Sequence, residues 1–414
     1  MQYNITRSSD LKVLERLVKK KGTDSGHNCV LITHVLSTSA SYIRLVNEVF
    51  PVALVIAIPY SADLKTLHSL QASGIRTFLP SSIEEAFLQA GPLVKEILES
   101  DPTPLIVQEV GGYLAGYTDR LSCYAHFKGI VEDTNNGHWR YKQAGSHKVP
   151  IVSMAQSPIK DIEDTVIGDS VIYSTERIFR EEFNAVLQGV RSAVIGYGKI
   201  GTSTSIALRG RESPVTVYDI DPTKCIRARF EGLRIAPLKQ LLAESELIVG
   251  CTGKTSVRAE EIPYIQDNAV LVSASAKNEE FDLTAFEKHC YREEISQEVW
   301  KYTKTDGSSF YLLNRGTPVN FRDRSVLGNV LDMIYSELFL CICLLSEKKM
   351  PLCIQHSPTE IHSEVAKTWL EIYESGFADA PNDKVWHYPD SLASALTHTF
   401  FLQTEHQYES KNSR

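Results

Sequence analysis

Six residues, Gly196-Tyr-Gly-Lys-Ile-Gly201, have the spacing of a phosphate-cradling turn. A short apolar run, Ala193 to Ile195, precedes them and reads as a buried strand. A helical pattern begins near Ile200. A second apolar run, Val215 to Tyr218, ends at Asp219. Strand, glycine turn, helix, strand and acid follow in the order of a dinucleotide-binding unit. Gly196 permits the tight turn, Gly198 lets backbone approach a pyrophosphate, and Gly201 lets the helix pack against the strand. Lys199 and Ile200 open that helix, whose first N–H groups would face the phosphates. Asp219 would accept hydrogen bonds from the adenosine ribose and favour NAD over NADP. Without a nucleotide, the same residues would form only a glycine-rich turn of an α/β domain.

Other segments must position this unit. The chain has 414 residues, enough for two or three domains. Strand-like and helix-like segments alternate after a first helix over Leu11–Lys20: strands at Val30–His34, Val52–Ile58, Arg76–Leu79, Leu105–Val107, Gly129–Val131 and Val149–Ser153, helices at Ser39–Phe50 and Ala62–Ala72. That alternation predicts a parallel sheet with helices on both faces. A long polar helix is predicted over Thr175–Leu187, as a hinge into the nucleotide unit. Two more strands, Glu246–Gly253 and Ala269–Ser273, end at small residues, where an open sheet keeps its ligand crevice. Val319–Phe321 would close this unit after a charged, turn-rich stretch. An apolar helix over Gly328–Leu345 would then pack back on the first domain.

The formal net charge of −8 and the absence of a basic block argue against a nucleic-acid partner. The longest apolar stretch, Met333–Leu345, is too short to span a bilayer and contains Glu337, so a buried core helix is expected and no membrane partner. The start of the chain lacks a signal-peptide core. Eight cysteines without a CxxC pair read as reduced, mostly buried thiols of a cytoplasmic protein. No metal site is expected, and His356 and His362 read as surface residues.

The chain resembles the S-adenosylhomocysteine hydrolase family from about His34 to Glu371, as a divergent member. The likeness is carried by Ala193-Val-Ile-Gly-Tyr-Gly, Ala207-Leu-Arg-Gly210, Asp219-Ile-Asp-Pro222, Thr252-Gly253 and Asp267-Asn-Ala-Val-Leu-Val. Elsewhere it rests on Gly129-Ile-Val-Glu-Asp-Thr-Asn-Asn-Gly137, Lys148-Val-Pro150, Val319-Asn320 and Pro358 through Glu364-Val-Ala-Lys367. The resemblance implies an α/β fold with a Rossmann NAD-binding domain inserted into a second α/β substrate domain. The expected limits are 1–172 for the first part of the substrate domain, 173–325 for the NAD domain, 326–372 for return helices and 373–414 for an extension. It also implies a small nucleoside-like or sugar-like substrate, a homodimer or homotetramer, and NAD that oxidises a ribose hydroxyl, assists elimination of homocysteine and is regenerated.

By the same resemblance Lys160 and Asp164 contact ribose hydroxyls. A desolvated lysine there can have a lowered pKa and act as base, with Asp164 orienting it. The alternative is an exposed i,i+4 ion pair. Asp133 matches a family glutamate that binds substrate ribose. Thr134, Asn135 and Asn136 match a threonine run at the nicotinamide side, and Asn320 an asparagine that contacts the carboxamide. Thr252 and Gly253 belong to the cofactor site. His34 matches a histidine near the reacting end, or is a structural histidine at a strand end.

Other positions depart from the family. Val110, in Glu109-Val-Gly-Gly-Tyr113, stands where an aspartate assists elimination, and Ala276 where a histidine is expected. The segment Phe321–Gly328 is short and has no histidine; its Arg322 and Arg324 either meet an anion or form a solvated cluster. The family's tail Lys and Tyr are not visible in Gln407–Arg414. These departures leave three readings: an oxidising or epimerising relative, a non-catalytic NAD- or nucleoside-binding regulator, and a working hydrolase. A structural partner of a true hydrolase is a further alternative.

Overall fold

The computed structural model describes residues 11–374 except 24, 146 and 275–279, together with 377. Ala276 and the stretch Gln407–Arg414 lie outside the described residues. The first strands are β1 (Asn28–Val35), β2 (Val52–Ala62), β3 (Thr77–Phe78), β4 (Leu105–Glu109), β5 (Phe127–Glu132) and β6 (Ile151–Ser153). The helices among them are α1 (Lys12–Lys21), α2 (Ser37–Val49), α3 (Leu64–Ala72), α4 (Ile83–Ser100), α5 (Thr118–Leu121) and α6 (Asn135–Ala144). Helix α7 (Pro158–Glu182) leads into the second half, with strands β7 (Ser192–Ile195), β8 (Val215–Tyr218), β9 (Arg234–Ile235), β10 (Leu247–Gly250), β11 (Ala269–Ser273), β12 (Cys290–Glu294), β13 (Val299–Lys304) and β14 (Ser309–Leu313). Its helices are α8 (Lys199–Gly210), α9 (Pro222–Phe230), α10 (Leu238–Glu244) and α11 (Leu283–His289); α12 (Val330–Glu347), β15 (Ile354–His356) and α13 (Thr359–Tyr373) follow.

The chain builds two sheets. The first has the order β15-β6-β5-β4-β1-β2-β3 and is parallel throughout. The second has the order β12-β13-β14-β11-β10-β7-β8-β9. It is parallel from β14 to β9, with β12 and β13 added antiparallel. Because β15 returns to pair with β6, the second sheet is inserted into the first α/β unit. Both sheets reverse strand order once, between β1 and β4 and between β7 and β10. Ligands of open α/β sheets bind beyond the carboxyl ends of strands at such switch points.

Apolar runs explain the central strands. Val30, Ile32, Val107 and Ile130 are fully buried in the first core, and Val194 and Val249 in the second. Strands covered on both faces read as continuous apolar runs. The stretch read as charged and turn-rich before Val319 instead forms β12–β14. On β12 the four residues from Tyr291 to Glu294 are all exposed, so an edge strand carries no core signal.

Helix α7 differs from the predicted Thr175–Leu187 helix: it begins seventeen residues earlier and ends at Glu182. Ser157 caps it by accepting from Lys160 N, and Pro158 occupies the first turn, both helix-start signals. The helix packs against α8, α12 and the 3₁₀ turn Val319–Asp323. Burial on several sides removes the single apolar stripe that periodicity detects. Helix α12 carries the expected buried run, with Glu337 fully inside it. Its Asp332 caps α1 by accepting from Val13 N at 2.8 Å and Leu14 N at 3.0 Å. Cys29, Cys251, Cys341 and Cys343 are buried, while Cys123 and Cys353 are exposed. No helix among the described residues is long and apolar enough to cross a membrane.

Candidate functional site

The glycine turn sits between β7 and α8. Gly196 has φ +94°, and a Cβ on it would lie 2.8 Å from Cys251 O. A Cβ on Gly201 would lie 1.9 Å from Gly196 O, so only glycine lets α8 start this close to the strand. Gly198 faces open space and caps α8 without a side chain, which leaves room for a phosphate at the helix N-terminus. Asp219 accepts from Tyr197 N at 2.6 Å and from Asp221 N at 2.8 Å. Each carboxylate oxygen has a second lone pair for a ribose hydroxyl.

Thr252 and Gly253 follow β10, across the switch point from Gly196. A buried carboxylate holds them: Gly253 N donates to Glu280 Oε1 at 2.6 Å, and Thr252 Oγ1 lies 3.0 Å from Glu280 Oε2. A Cβ on Gly253 would lie 3.2 Å from Asn136 Oδ1, so the start of α6 in the first sheet reaches the nucleotide loop of the second. Thr134 caps α6, accepting from Gly137 N at 3.0 Å, and Asn135 is the helix's first residue. Asn320 Nδ2 donates to Ser325 Oγ at 2.9 Å, while its Oδ1 is buried without a hydrogen-bond partner. An orphan acceptor of this kind suits an amide N–H. The open turn at Gly198, the acid at Asp219 and the free acceptor on Asn320 fit NAD.

The charged centre lies on α7 beside this cradle. Lys160 Nζ is 2.9 Å from Asp133 Oδ1 and in direct contact with Glu163 Oε2. The Lys160 and Asp133 side chains are each only 12% exposed, which excludes a solvated surface pair. Asp164 faces elsewhere, with its Oδ2 3.6 Å from Lys199 Nζ. Lys199 also contacts Asp161, so the first residue of α8 is tied to the N-terminal turns of α7.

Two expectations change here. Burial opposes the charge on Lys160, but Asp133, Glu163 and Asp164 outweigh it and raise its pKa. The lysine is an ammonium, not the lowered base expected from desolvation. Its close partner on α7 is Glu163, three residues on, in place of Asp164. Burial pushes Glu163 up to about 7 against the pull of Lys160.

His34 stands at the end of β1. Its Nδ1 is 2.5 Å from Ser61 Oγ, and its ring packs 4.6 Å from Phe321. Tyr60 meets the same phenylalanine at 5.4 Å. Phe321 thus brings the turn after Asn320 onto the ends of β1 and β2. Arg322 donates to Glu298 Oε1 at 3.1 Å beside the Arg177–Asp323 pair, and Arg324 is exposed in a left-handed conformation. The charge-cluster reading of Arg322 therefore holds. Val110 packs in the first core.

Sequence reasoning gave no role to three further buried acids. Glu109 and Glu132 are neighbours in register on β4 and β5. Glu132 accepts from Gly112 N at 2.8 Å and Thr134 N at 2.6 Å, while Glu109 takes the Tyr141 hydroxyl. Burial and the neighbouring carboxylate raise Glu109 well above its usual range, and burial takes Glu132 up to about 7. Glu337 accepts from Ser157 Oγ at 2.8 Å and Ser357 Oγ at 2.6 Å, with His362 Nε2 3.3 Å away. His362 is thus not the surface residue expected. Burial also raises Glu337 to about 7. The one legible signal was Ser157-Pro158: as a helix start it places Lys160 and Glu163 on one face.

Residues 169–325 match the family S-adenosyl-L-homocysteine hydrolase, NAD binding domain. An adenosylhomocysteinase of Thermotoga maritima is 26% identical over 325 residues, 76% of this chain and 78% of that protein. One of Archaeoglobus fulgidus is 24% identical over 87% of this chain and 90% of that protein. An S-inosyl-L-homocysteine hydrolase of Methanopyrus kandleri is 24% identical over 76% of this chain and 75% of that protein. Among solved structures, a dipicolinate synthase chain of Bacillus halodurans is 12% identical, covers 79% of this chain and 100% of its own, and has a TM-score of 0.45. The matched NAD-binding segment begins on the helix that carries Lys160 and contains the whole glycine turn and Asp219, and with these relatives it supports membership of the S-adenosylhomocysteine hydrolase family, with NAD as its cofactor.

Proposed function

We propose that this protein uses bound NAD to oxidise a hydroxyl of a ribose-like or sugar-like substrate. The observation that carries the reading is the buried Asp133–Lys160–Glu163 cluster, joined to the nucleotide turn through Lys199 and Asp164. NAD supplies a hydride acceptor there. Gly196, Gly198 and Gly201 would cradle its pyrophosphate, Asp219 its adenosine ribose, and Asn320 Oδ1 its carboxamide. Asp133 and the Lys160 ammonium would hold substrate hydroxyls by charge-assisted hydrogen bonds. Phe321, Tyr60 and His34 supply an aromatic wall suited to a ring-bearing, nucleoside-like substrate. Val110 has no proton to move, so elimination and hydration after oxidation are not assigned to this chain.

The test is to load the purified protein with NAD, remove the excess and add ribonucleosides, deoxyribonucleosides and free sugars in turn. The reduced-nicotinamide absorbance band is expected with ribosides. Its absence with every compound, while NAD stays bound, overturns the reading. That outcome supports a non-catalytic NAD-binding regulator, which Val110 at the family's aspartate position already favours over a working hydrolase.

A further inference from the structure

Lys160 cannot take a proton while it is an ammonium. Its own proton must first move, and two carboxylates are in reach. Asp133 lies at the end of β5, where the site reading gives it a substrate hydroxyl. Glu163 lies one turn along α7 from Lys160, with its side chain 9% exposed and its Oε2 against Nζ. Asp164 is occupied by Lys199 on α8. Glu163 is therefore the acid behind the lysine, on the same rigid helix.

We propose that Glu163 is the proton-relay residue of the site, acting through Lys160. This rests on the reading that a substrate hydroxyl is oxidised. Lys160 passes one Nζ proton to the Glu163 carboxylate, which becomes the neutral acid. The neutral amine then takes the hydroxyl proton as the substrate carbon gives up a hydride, for which bound NAD would be the acceptor. The alcohol becomes a carbonyl, Lys160 is again an ammonium and Glu163 holds the extra proton. Reversal returns that proton when the carbonyl is reduced.

The surroundings suit this role. Burial raises Glu163, Lys160 lowers it, and Asp133 and Asp164 raise it again, to a balance at about 7. Tyr335 of α12 also faces the pair, and Lys199 of α8 faces Asp164. The relay needs ionised Glu163, so oxidation should rise with pH through about 7 and level above it.

The test uses Glu163→Gln, which keeps the shape but takes no proton, and Glu163→Asp, which retains a carboxylate. With a substrate that reduces wild-type bound NAD, Glu163→Gln should slow reduction about 100-fold or more and lose the step in the pH profile. NAD affinity should be unchanged, and Glu163→Asp should recover part of the rate. An unchanged rate and pH step in Glu163→Gln would overturn the proposal while the oxidation reading stands. The second readout is a carbon NMR titration of glutamate carboxyls and lysine side chains in the cofactor-free protein. One glutamate should titrate near 7 in the wild type, with the Lys160 resonance responding at the same midpoint, and vanish in Glu163→Gln. A Glu163 signal in the ordinary carboxylate range overturns the relay. If no compound reduces wild-type NAD, the oxidation reading fails and this titration alone decides whether the Lys160–Glu163 proton pair exists.

Discussion

Gly168 of α7 and Thr204 of α8 touch backbone to backbone: a Cβ on Gly168 would lie 2.2 Å from Thr204 N. Gly168 N also donates to Ser203 Oγ at 3.2 Å. Lys199 faces Asp161 and Asp164, and Arg211 faces Asp169 and Glu176, so the two helices run side by side in the same direction. The charged centre near the start of α7 is thereby set against the nucleotide turn at the start of α8. Gly168→Ala should destabilise the protein by about 1–3 kcal/mol, because only backbone can yield. That outweighs a gain of about 1 kcal/mol in helix propensity. Gly210→Ala, which meets open space, should instead stabilise by about 0.5–1 kcal/mol. Denaturant midpoints of the two variants check this, and NAD affinity should fall only for Gly168→Ala.

Asp219→Ala removes the acceptor of Tyr197 N and the acid proposed for the adenosine ribose. Charge-assisted hydrogen bonds of this kind contribute about 1.5–3 kcal/mol, so NAD affinity should drop about 10–100-fold. NADP should lose much less, since the carboxylate that repels a 2′-phosphate is gone. Calorimetric titration with both nucleotides tests the ratio. A parallel loss for both would remove Asp219 from the ribose site and leave it a role only in the turn.

The parts legible in the sequence were those with one strong physical cause. Close backbone approach dictates Gly196 and Gly201, so their spacing, read with the flanking strands and helix and with Asp219 at the next strand's end, announced the nucleotide turn. Central strands such as β1 and β7 announced themselves as apolar runs. Helix α4, with Pro92 inside, and the edge strand β12 gave no such signal. The charged centre was half legible. Lys160 and Asp133 were found, but an ion pair depends on which carboxylate a fold brings near. Asp164 is closest to Lys199 and Glu163 to Lys160, which a four-residue spacing could not distinguish. Burial of the lysine was one of two readings the sequence left open; the three acids that reverse its effect on the pKa were not foreseen.

Lys160→Met leaves Asp133 and Glu163 without their cation, while Asp164 keeps Lys199. Removing one partner of a buried ion pair destabilises by about 3–5 kcal/mol. Here the loss should be full at alkaline pH and shrink in acid, as the orphaned carboxylates take up protons. NAD binding should survive, because Lys160 is no part of the glycine turn, and reduction of NAD should cease. Unfolding curves at about pH 8 and about pH 5, paired with nucleotide titration, measure each point. Persisting reduction in this variant would end the assignment of Lys160 to proton transfer.

Glu337 links the N-cap of α7 to β15 and α13, and burial raises its pKa to about 7. In the unfolded chain a glutamate ionises near its ordinary value, so between that value and about 7 the folded state binds more protons. Its contribution to stability is full in acid and is lost as pH rises through this window. Glu109, Glu132 and Glu163, all raised, add the same sign. His362, lowered chiefly by burial, has the opposite one. Glu337→Gln isolates the single group: the amide stays neutral at every pH, and the serine hydroxyls can rotate to suit it. The variant should match the wild type near pH 5 and exceed it near pH 8 by up to about 3 kcal/mol. Denaturant unfolding at both pH values checks the crossing. A variant equally weakened at both would show that Glu337 serves through hydrogen bonds that an amide cannot replace, with no part in the pH dependence.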